Sequence, residues 1–375
     1  MGLTSDKMLA MAILFAVLLF VGTLWLWPRL ARRNWRAVTG RAGLLLATQL
    51  ALFACLGIAV NQAFGFYASW GDLFGTETDQ GVVVDHTAGA AAGAPLRVVS
   101  TSEVHGMGGS LPRTAGQIQQ VGIVGRTTHI ATPAYVYLPP EYFQQQYRTR
   151  AFPVVVVLSG YPGTARALVD KLNYPRTAQH LVRAGKMRPT ILVMLRPTVA
   201  PPRDTECVDI PHGPQTETFF ARDLPAAVRA HYRAAVKPGG WGIVGDSTGG
   251  YCALKLAMHH PGVYAAGAGL SPSYKAPLDA TTGDLFQGDR NLENRANLWW
   301  FLKHEPAPDT SLLVTSSKVG ETNYKATLKF IASVEATKLT RISSIILGSG
   351  GHNFNTWRRE IPATLQWLSG RLNGS

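Results

Sequence analysis

The sequence predicts a large α/β domain, built on a mostly parallel sheet with helices on both faces and preceded by a hairpin of two transmembrane helices. Three observations support this prediction: two uncharged apolar runs near the N-terminus, a later alternation of short apolar runs with helix-like stretches, and an apolar content of 46% over 375 residues. Strand–helix alternation is typical of parallel sheets. A chain of this length and composition can bury one large core.

The N-terminal hairpin comes first in the chain. Residues 8–27 and 42–60 carry no charge, and each run is close to the roughly 20 apolar residues that cross a bilayer. Between the runs lies an arginine-rich segment that contains Arg29, Arg32, Arg33, Arg36 and Arg41. Because short basic loops stay in the cytoplasm, both chain ends should lie outside. We therefore predict a multi-pass membrane segment over residues 1–70, with the lipid bilayer as a partner and the C-terminal domain extracytoplasmic.

A cleaved signal peptide is the alternative for the first run. Such a peptide has a basic segment before a short apolar core. Here the basic cluster follows a long core, and a second apolar run comes after it. The order of these segments favours the hairpin.

A linker and then the α/β domain follow the hairpin. Residues 71–95 include the small and polar stretch "TAGAAAGAP", which is typical of a flexible tether, and the domain occupies 96–375. Its predicted strands are 119–124, 135–138, 154–158, 190–194, 242–244, 265–270, 312–315 and 344–347. Its predicted helices are 164–184, 215–233, 248–260, 323–338 and 356–372. The middle strands are continuously apolar, as strands covered on both faces should be.

Charge and cysteine content narrow the function classes. The net charge is +13, but no zinc-finger spacing or RNA-binding aromatic signature accompanies it, so we expect no nucleic-acid partner. Of the three cysteines, Cys207 and Cys252 lie in the large domain. They could pair in an oxidising compartment. The sequence gives no distance between them, so a disulfide and two buried thiols both stay open.

The stretch "GIVGDSTGGYCAL" places a serine between an apolar strand and a helix. Val244 ends the strand, Thr248 begins the helix, and Ser247 lies on the turn, flanked by Gly245 and Gly249. A sharp Gly-x-Ser-x-Gly turn of this kind lifts the serine hydroxyl to the top of the sheet. Although the pentapeptide alone is a weak signal, its place at a strand-to-helix junction predicts a nucleophile elbow and an α/β-hydrolase fold.

A serine nucleophile needs a base, which in this fold follows an acid near the C-terminus. His352, in "SIILGSGGHNFNTW", follows the last apolar strand in a glycine-rich loop, just before the final helix. His304 is a competitor without a preceding strand. His259 and His260 lie at a helix end, where we expect them to be solvated or capping. His212 lies in a loop that could border the site.

The acid should follow the penultimate strand, and Glu321 in "SLLVTSSKVGETNY" does so. Such a carboxylate would orient the imidazole and stabilise its protonated form. Asp284 and Asp289 are alternatives in an earlier polar loop, where turn or cap chemistry also explains them. Asp246 is interpreted as a turn residue that cannot reach His352.

An oxyanion hole requires two backbone N–H groups, one after the nucleophile and one from the loop after an earlier strand. Thr248 supplies the first candidate. The strand in "VVVVLSGYPGT" ends at Leu158, and we choose Tyr161 for the second. An ordinary strand-end turn at Pro162-Gly163 is the alternative reading.

Four segments together resemble the esterase D and mycolyltransferase family of α/β-hydrolases, over about residues 118–372. They are "PAYVYLPPEYF", "ETFFARDLPAAVRAHY", "GDSTGGYCALKLAMHHPGVYAAGAGLSP" and "GGHNFNTWRREIPATLQWL". By analogy the family's nucleophile falls on Ser247, its acid on Glu321 and its histidine on His352, and its first oxyanion amide falls on Tyr161. The N-terminal spans resemble those of actinobacterial members.

The predicted function is a membrane-anchored, extracytoplasmic serine esterase or acyltransferase that acts on small-molecule or lipid acyl esters through an acyl-enzyme. Mycolyltransferase-like transfer to a sugar acceptor is one alternative, and a non-catalytic cell-envelope binding or scaffold protein is another. We expect no metal and no organic cofactor, since neither His-Glu-x-x-His nor a phosphate-cradling loop occurs.

Overall fold

The structure, a computed structural model, defines residues 6–32, 34–64, 94–104, 111–201 and 203–373. The chain separates into two compact units, Met1–Gln80 and Gly81–Ser375. The predicted linker, 71–95, lies outside the described residues except for its last two positions.

Two long helices form the described part of the N-terminal unit. Helix α1 spans Asp6–Leu26 and helix α2 spans Trp35–Phe64. The two helices pack against each other, with the Thr23 and Thr48 hydroxyl oxygens 3.0 Å apart. Many of their large apolar side chains are exposed, an arrangement that suits hydrocarbon surroundings better than water.

Both helices meet the length and composition needed to cross a membrane, over Lys7–Leu26 and Trp35–Gln62. This unit is therefore able to anchor the chain in a bilayer, as the two uncharged runs predict.

Helix α2 begins well before the apolar run 42–60 that predicted it. The Asn34 side chain accepts the Ala37 backbone N–H at 2.8 Å, which satisfies one of the unpaired donors at the start of the helix. Arg36 and Arg41, predicted to lie in the loop, are consequently on the first turns of α2.

One sheet organises the described residues of the C-terminal unit. Its strand order is β1-β2-β3-β5-β4-β6-β7-β8-β9. Neighbours pair antiparallel from β1 to β5 and parallel from β5 to β9. The strands are β1 Leu96–Ser102, β2 Gln117–Val124, β3 Ala131–Leu138, β4 Val154–Leu158, β5 Ile191–Leu195, β6 Trp241–Asp246, β7 Ala266–Leu270, β8 Ser311–Val319 and β9 Arg341–Ser349.

Helices cover both faces of this sheet. They are α3 Pro112–Ala115, α4 Ala165–Asp170, α5 Tyr174–Arg183, α6 Leu224–His231, α7 Thr248–His259, α8 Arg290–Ala296, α9 Leu298–His304, α10 Tyr324–Glu335 and α11 Phe354–Ser369. Side chains from α6, α7, α9 and α10 pack in one apolar core. Those from α4, α5 and α11 pack in the other. Strands β4 and β5 are buried throughout because they lie between the two cores.

This architecture is the predicted one, but two predicted helices are interrupted. The stretch 164–184 contains α4 and α5, separated where Asn173 adopts a left-handed conformation at φ 54°. The stretch 215–233 contains one turn of π-helix, Phe219–Asp223, directly before α6. Pro225 lies in the first turn of α6, and its missing N–H prevents continuous helical bonding across that point.

The predicted set of helices contains neither α8 nor α9; α8 is mostly polar and resembles a loop, whereas α9 begins with the apolar residues Leu298, Trp299 and Trp300. Asp289 caps α8 by accepting the N–H groups of Asn291 and Leu292. Asn297 caps α9 in the same way. The role of Asp289 is therefore the cap chemistry that we weighed against an acid role.

Candidate active site

The turn between β6 and α7 holds Ser247 in a strained conformation. Its φ is 53° and its ψ is −120°, which a residue with a side chain adopts only where its surroundings enforce it. Its N–H donates to the Leu270 carbonyl at 2.9 Å. The turn lies at the edge of the sheet where the parallel strands end, which is the position expected for a nucleophile elbow.

Two glycines allow this turn to form. A methyl group on Gly249 would lie 2.5 Å from the Leu158 carbonyl oxygen and 2.6 Å from that of Ser159. On Gly245 it would lie 2.3 Å from the backbone of Gly249. These contacts are with backbone atoms, which cannot move aside as a flexible side chain can. The close approach of β4, β6 and α7 thus requires glycine at both positions.

The imidazole of His352 reaches the serine. Its Nε2 lies 2.8 Å from Ser247 Oγ. His352 follows β9 in the glycine-rich loop, and the next residue, Asn353, caps α11 through the Asn355 and Thr356 N–H groups. The Trp357 ring packs edge-on against the imidazole, with centroids 5.1 Å apart. The loop is thus fixed on one side by the helix cap, and the imidazole is fixed by an aromatic ring.

Glu321 lies on the other side of the imidazole. Its Oε1 is 3.9 Å from His352 Nδ1, longer than a hydrogen bond, and its side chain is 1% exposed while that of His352 is 52% exposed. Glu321 Oε2 accepts the Ser317 N–H at 3.0 Å. Glu321 Oε1 accepts the Ser271 hydroxyl, whose oxygen in turn accepts Trp357 Nε1–H at 2.9 Å. The carboxylate is therefore held in place by neighbours that do not titrate.

Burial favours the neutral form of the His352 imidazole. Burial of one side of His352 lowers its pKa below the ordinary value, and the negative charge of Glu321 offsets part of that effect. A neutral imidazole with its proton on Nδ1 presents an unprotonated Nε2 to Ser247. That is the state a general base requires.

The two predicted oxyanion donors lie on backbone segments next to Ser247. Thr248 is the first residue of α7, where backbone N–H groups have no partner within the helix. In the loop after β4, a methyl group on Gly160 would lie 3.0 Å from Ser247 Cβ. The Gly160 N–H itself donates to Asp246 Oδ2 at 2.9 Å. The next amide along this loop is that of Tyr161.

Asp246 is therefore more than a turn residue. It is 1% exposed, and burial raises its pKa to about 7, although its hydrogen bond from Gly160 acts in the opposite direction. Together with Ser271 and Trp357, it is a site residue whose contacts the sequence did not reveal. The single available signal was its place beside the serine.

The other candidate histidines and acids lie elsewhere. His304 Nδ1 is 2.9 Å from the Trp300 carbonyl oxygen at the end of α9. Asp284 accepts backbone N–H groups in a turn. His212 is exposed in the segment between β5 and α6. Among the described residues, no group of three or more His, Cys, Asp or Glu side chains is arranged to hold a metal ion.

His259 and His260, expected to be solvated or capping residues at the helix end, both contact a carboxylate. A ring nitrogen of each lies 2.9 Å from Glu217 Oε1, and Lys255 Nζ lies 2.8 Å from Glu217 Oε2. Against the effect of burial, Lys255 and the two histidines hold the pKa of Glu217 well below its usual value. The cluster joins α7 to the segment just before α6.

A disulfide reinforces the same connection. Cys207 and Cys252 are bonded, with Cα atoms 5.7 Å apart, so the pairing that the sequence left open is present. Lys255 Nζ also donates to the Cys207 carbonyl at 2.6 Å. The segment between β5 and α6 is thus cross-linked to the helix that follows Ser247.

The Esterase family model matches residues 126–368. An uncharacterised protein of Corynebacterium glutamicum is 24% identical over 274 residues, which cover 69% of this chain and 63% of that protein. A diacylglycerol acyltransferase/mycolyltransferase of Mycobacterium ulcerans is 27% identical over 176 residues, covering 40% of this chain and 50% of that protein. The chain thus matches between half and two thirds of the length of these relatives.

Among solved structures, an S-formylglutathione hydrolase from Agrobacterium tumefaciens superposes with a TM-score of 0.58 at 18% identity. The match covers 74% of this chain and all of that enzyme. At this level of identity the likeness concerns the fold, and it confirms the predicted α/β-hydrolase architecture.

Proposed function

Because the chain belongs to the Esterase family, we propose that it is a serine esterase or acyltransferase that acts on carboxylic esters. Ser247 is the nucleophile, His352 the general base and Glu321 the residue that orients His352. Family membership concerns the chain as a whole, and this proposal assigns the catalytic roles to individual side chains.

The first step forms an acyl-enzyme. Ser247 Oγ attacks the ester carbonyl carbon while its proton passes to His352 Nε2. The negative charge that develops on the carbonyl oxygen is stabilised by the N–H groups of Tyr161 and Thr248. When the tetrahedral intermediate collapses, the carbon–oxygen bond to the leaving alcohol breaks, and the alkoxide takes the proton from Nε2.

The second step removes the acyl group. Water, or the hydroxyl group of an acceptor, attacks the acyl carbon while His352 Nε2 takes its proton. The bond to Ser247 Oγ then breaks, and the serine recovers the proton. Glu321 stays ionised throughout and stabilises the imidazolium present in each intermediate. No metal or organic cofactor is needed in this sequence of steps.

One observation carries the proposal: a histidine nitrogen lies 2.8 Å from a serine oxygen on a strained strand-to-helix turn. We expect Ser247→Ala to lower the hydrolysis of p-nitrophenyl butyrate by roughly 10⁴-fold or more. Circular dichroism and thermal unfolding of the variant should match those of the wild type. Ser273→Ala, at an exposed serine, is the matched control. Undiminished turnover by Ser247→Ala would refute the assignment.

Acyl transfer to a sugar is the second candidate, because one relative is a diacylglycerol acyltransferase/mycolyltransferase. A transferase differs from an esterase in which hydroxyl group reaches the acyl-enzyme. Incubation with an acyl donor, with and without trehalose, followed by mass spectrometry of the products, separates the two. An acylated sugar favours transfer, and free acid alone favours hydrolysis.

A non-catalytic envelope binding or scaffold protein is the alternative from another class. A fluorophosphonate probe labels a serine only where a neighbouring base activates it. We expect labelling of Ser247 and loss of labelling in His352→Ala. An unlabelled wild-type protein would favour the binding role.

We further propose that the α1–α2 hairpin spans the cell membrane and that the C-terminal unit is extracytoplasmic. Both helices are long and apolar enough, and arginines concentrate between them and in the first turns of α2. The Cys207–Cys252 disulfide supports an oxidising location. Protease added to intact cells should remove the C-terminal unit, whereas protection would contradict this orientation.

A further inference from the structure

One partly buried cation of the C-terminal unit stands apart from the others. Most arginines and lysines there are exposed. Those that are buried or half-buried and that have a partner are Lys171, Arg203, Arg233, Lys255 and Arg295. Arg196 is half-buried, and among the described residues it has no hydrogen bond, ion pair or aromatic ring contact.

An unpaired cation in this position is unfavourable in free energy. Taking a guanidinium partly out of water weakens its hydration, and a pairing anion normally compensates for the loss. Arginine is rarely buried in proteins without such a partner. Arg196 therefore has the properties of a residue whose partner arrives with a ligand.

The register of the sheet places Arg196 at the same sheet edge as the elbow. Leu195, Leu158 and Gly245 are aligned across the parallel strands β5, β4 and β6. Neighbouring strands are about 4.8 Å apart, so Arg196 lies two strands, about 10 Å, from the residue that precedes Ser247. The Ser159 N–H donates to the Leu195 carbonyl at 3.2 Å, which ties the loop after β4 to the start of this segment.

A second polar group lies in the same segment. Thr198 is 4% exposed, yet its hydroxyl has no hydrogen-bond partner. A buried hydroxyl without a partner is uncommon and calls for an explanation. Thr198 is two residues from Arg196 in the chain, so both polar groups lie in the short segment directly after β5.

We propose that Arg196, assisted by Thr198, binds an anionic group, a carboxylate or a phosphate, of the substrate whose ester bond Ser247 attacks. The planar guanidinium fork is suited to both of these anions. An arginine side chain and a few bonds of the substrate span the separation from the elbow. The substrate is then an acyl ester with a negative charge a short distance from the reacting carbonyl. This inference rests on the proposed function.

A matched pair of esters tests the assignment in the full-length protein. p-Nitrophenyl butyrate is neutral, and p-nitrophenyl hydrogen glutarate carries a carboxylate at the end of an acyl chain of similar length. We expect Arg196→Gln to raise the ratio of KM for the anionic ester to KM for the neutral ester by at least about tenfold. Arg196→Lys, which keeps the charge, should raise it less. Arg150→Gln is the control, because Arg150 is exposed and lies just before the opposite end of β4.

Competition identifies the source of the anion. Glutarate and phenyl phosphate are added separately while the neutral ester is hydrolysed. Stronger inhibition by glutarate indicates a carboxylate on the acyl chain, and stronger inhibition by phenyl phosphate indicates a phosphorylated substrate. In either case, Arg196→Gln should weaken the inhibition about tenfold.

Other outcomes would overturn the inference. An unchanged KM ratio in a folded Arg196→Gln variant, or no difference from Arg150→Gln, would do so. If that variant fails to fold, salt dependence decides: raising the salt concentration should raise the wild-type KM for the anionic ester alone, and equal effects on both esters reject the anion site. Activity that survives in Ser247→Ala would instead reject the proposed function itself.

Discussion

The two halves of the sheet's carboxyl edge position their functional groups in different ways. On the β4–β6 half, backbone geometry fixes Ser247: a strained φ, and glycines that a methyl group would drive into neighbouring carbonyls. On the β8–β9 half, side-chain hydrogen bonds position the functional groups. Ser271 and Ser317 hold Glu321, and Trp357 contacts both Ser271 and the imidazole.

The distances reflect this difference. His352 is 2.8 Å from Ser247 but 3.9 Å from Glu321. A site set by backbone contacts tolerates little change, whereas a site set by side-chain bonds can lose one bond and keep its fold. Substitutions at the glycines of the first half should therefore act through folding, and substitutions in the second half through kinetics.

The largest effect is expected at Gly249, on the β4–β6 half. Gly249→Ala places a methyl group 2.5 Å from the Leu158 carbonyl oxygen, so the elbow cannot close. We expect a loss of about 3 kcal/mol in unfolding free energy and activity as low as in Ser247→Ala. Chemical denaturation measures the first, and hydrolysis of p-nitrophenyl butyrate the second. Gly239→Ala has open space around it and serves as the control. If Gly249→Ala kept wild-type stability, backbone contact would not be what fixes the serine.

The second largest effect is expected at Glu321, on the β8–β9 half. Glu321→Gln keeps the shape but removes the charge that stabilises the imidazolium. We expect kcat to fall roughly 10³-fold while the melting temperature changes little. Steady-state kinetics and differential scanning calorimetry check the two parts. A variant with normal kcat would mean that the 3.9 Å contact is not used in catalysis.

A smaller effect is expected at Ser271, which holds the acid. Ser271→Ala deletes one hydrogen bond to Glu321 and the partner of Trp357 Nε1. We expect kcat to fall about tenfold, in line with the loss of a single hydrogen bond to a charged group, with KM almost unchanged. Ser273→Ala, two residues away and exposed, should behave as the wild type. A loss as large as that of Glu321→Gln would indicate that the loop rearranges.

The smallest effect is a shift along the pH axis. Because the pKa of His352 lies below its ordinary value, kcat/KM should hold as pH falls towards 6.5 and drop only at lower pH, as the base becomes protonated. Glu321 raises this pKa. In Glu321→Gln, the pH at which the remaining activity falls should therefore be lower still. A limb above pH 6.5 in the wild type would contradict the burial of the imidazole.

The sequence made the nucleophile half easier to predict than the acid half. The elbow is a local motif: Ser247, its glycines and the strand-to-helix switch all lie within a few residues. His352 follows from chain order and a glycine-rich loop. Ser271 and Trp357 leave no such signal, because they meet Glu321 only after three distant segments come together. The sequence alone indicates a turn residue at Asp246, because the Gly160 N–H that it accepts lies 86 positions away in the chain.

The Cys207–Cys252 bond has a practical consequence for anyone who makes this protein. It closes a loop across 45 positions and attaches it to the helix that begins one residue after the serine. A cross-link over such a span typically contributes about 3–4 kcal/mol. Material produced in a reducing bacterial cytosol would lack it, so export to the periplasm or oxidative refolding should give the more robust preparation.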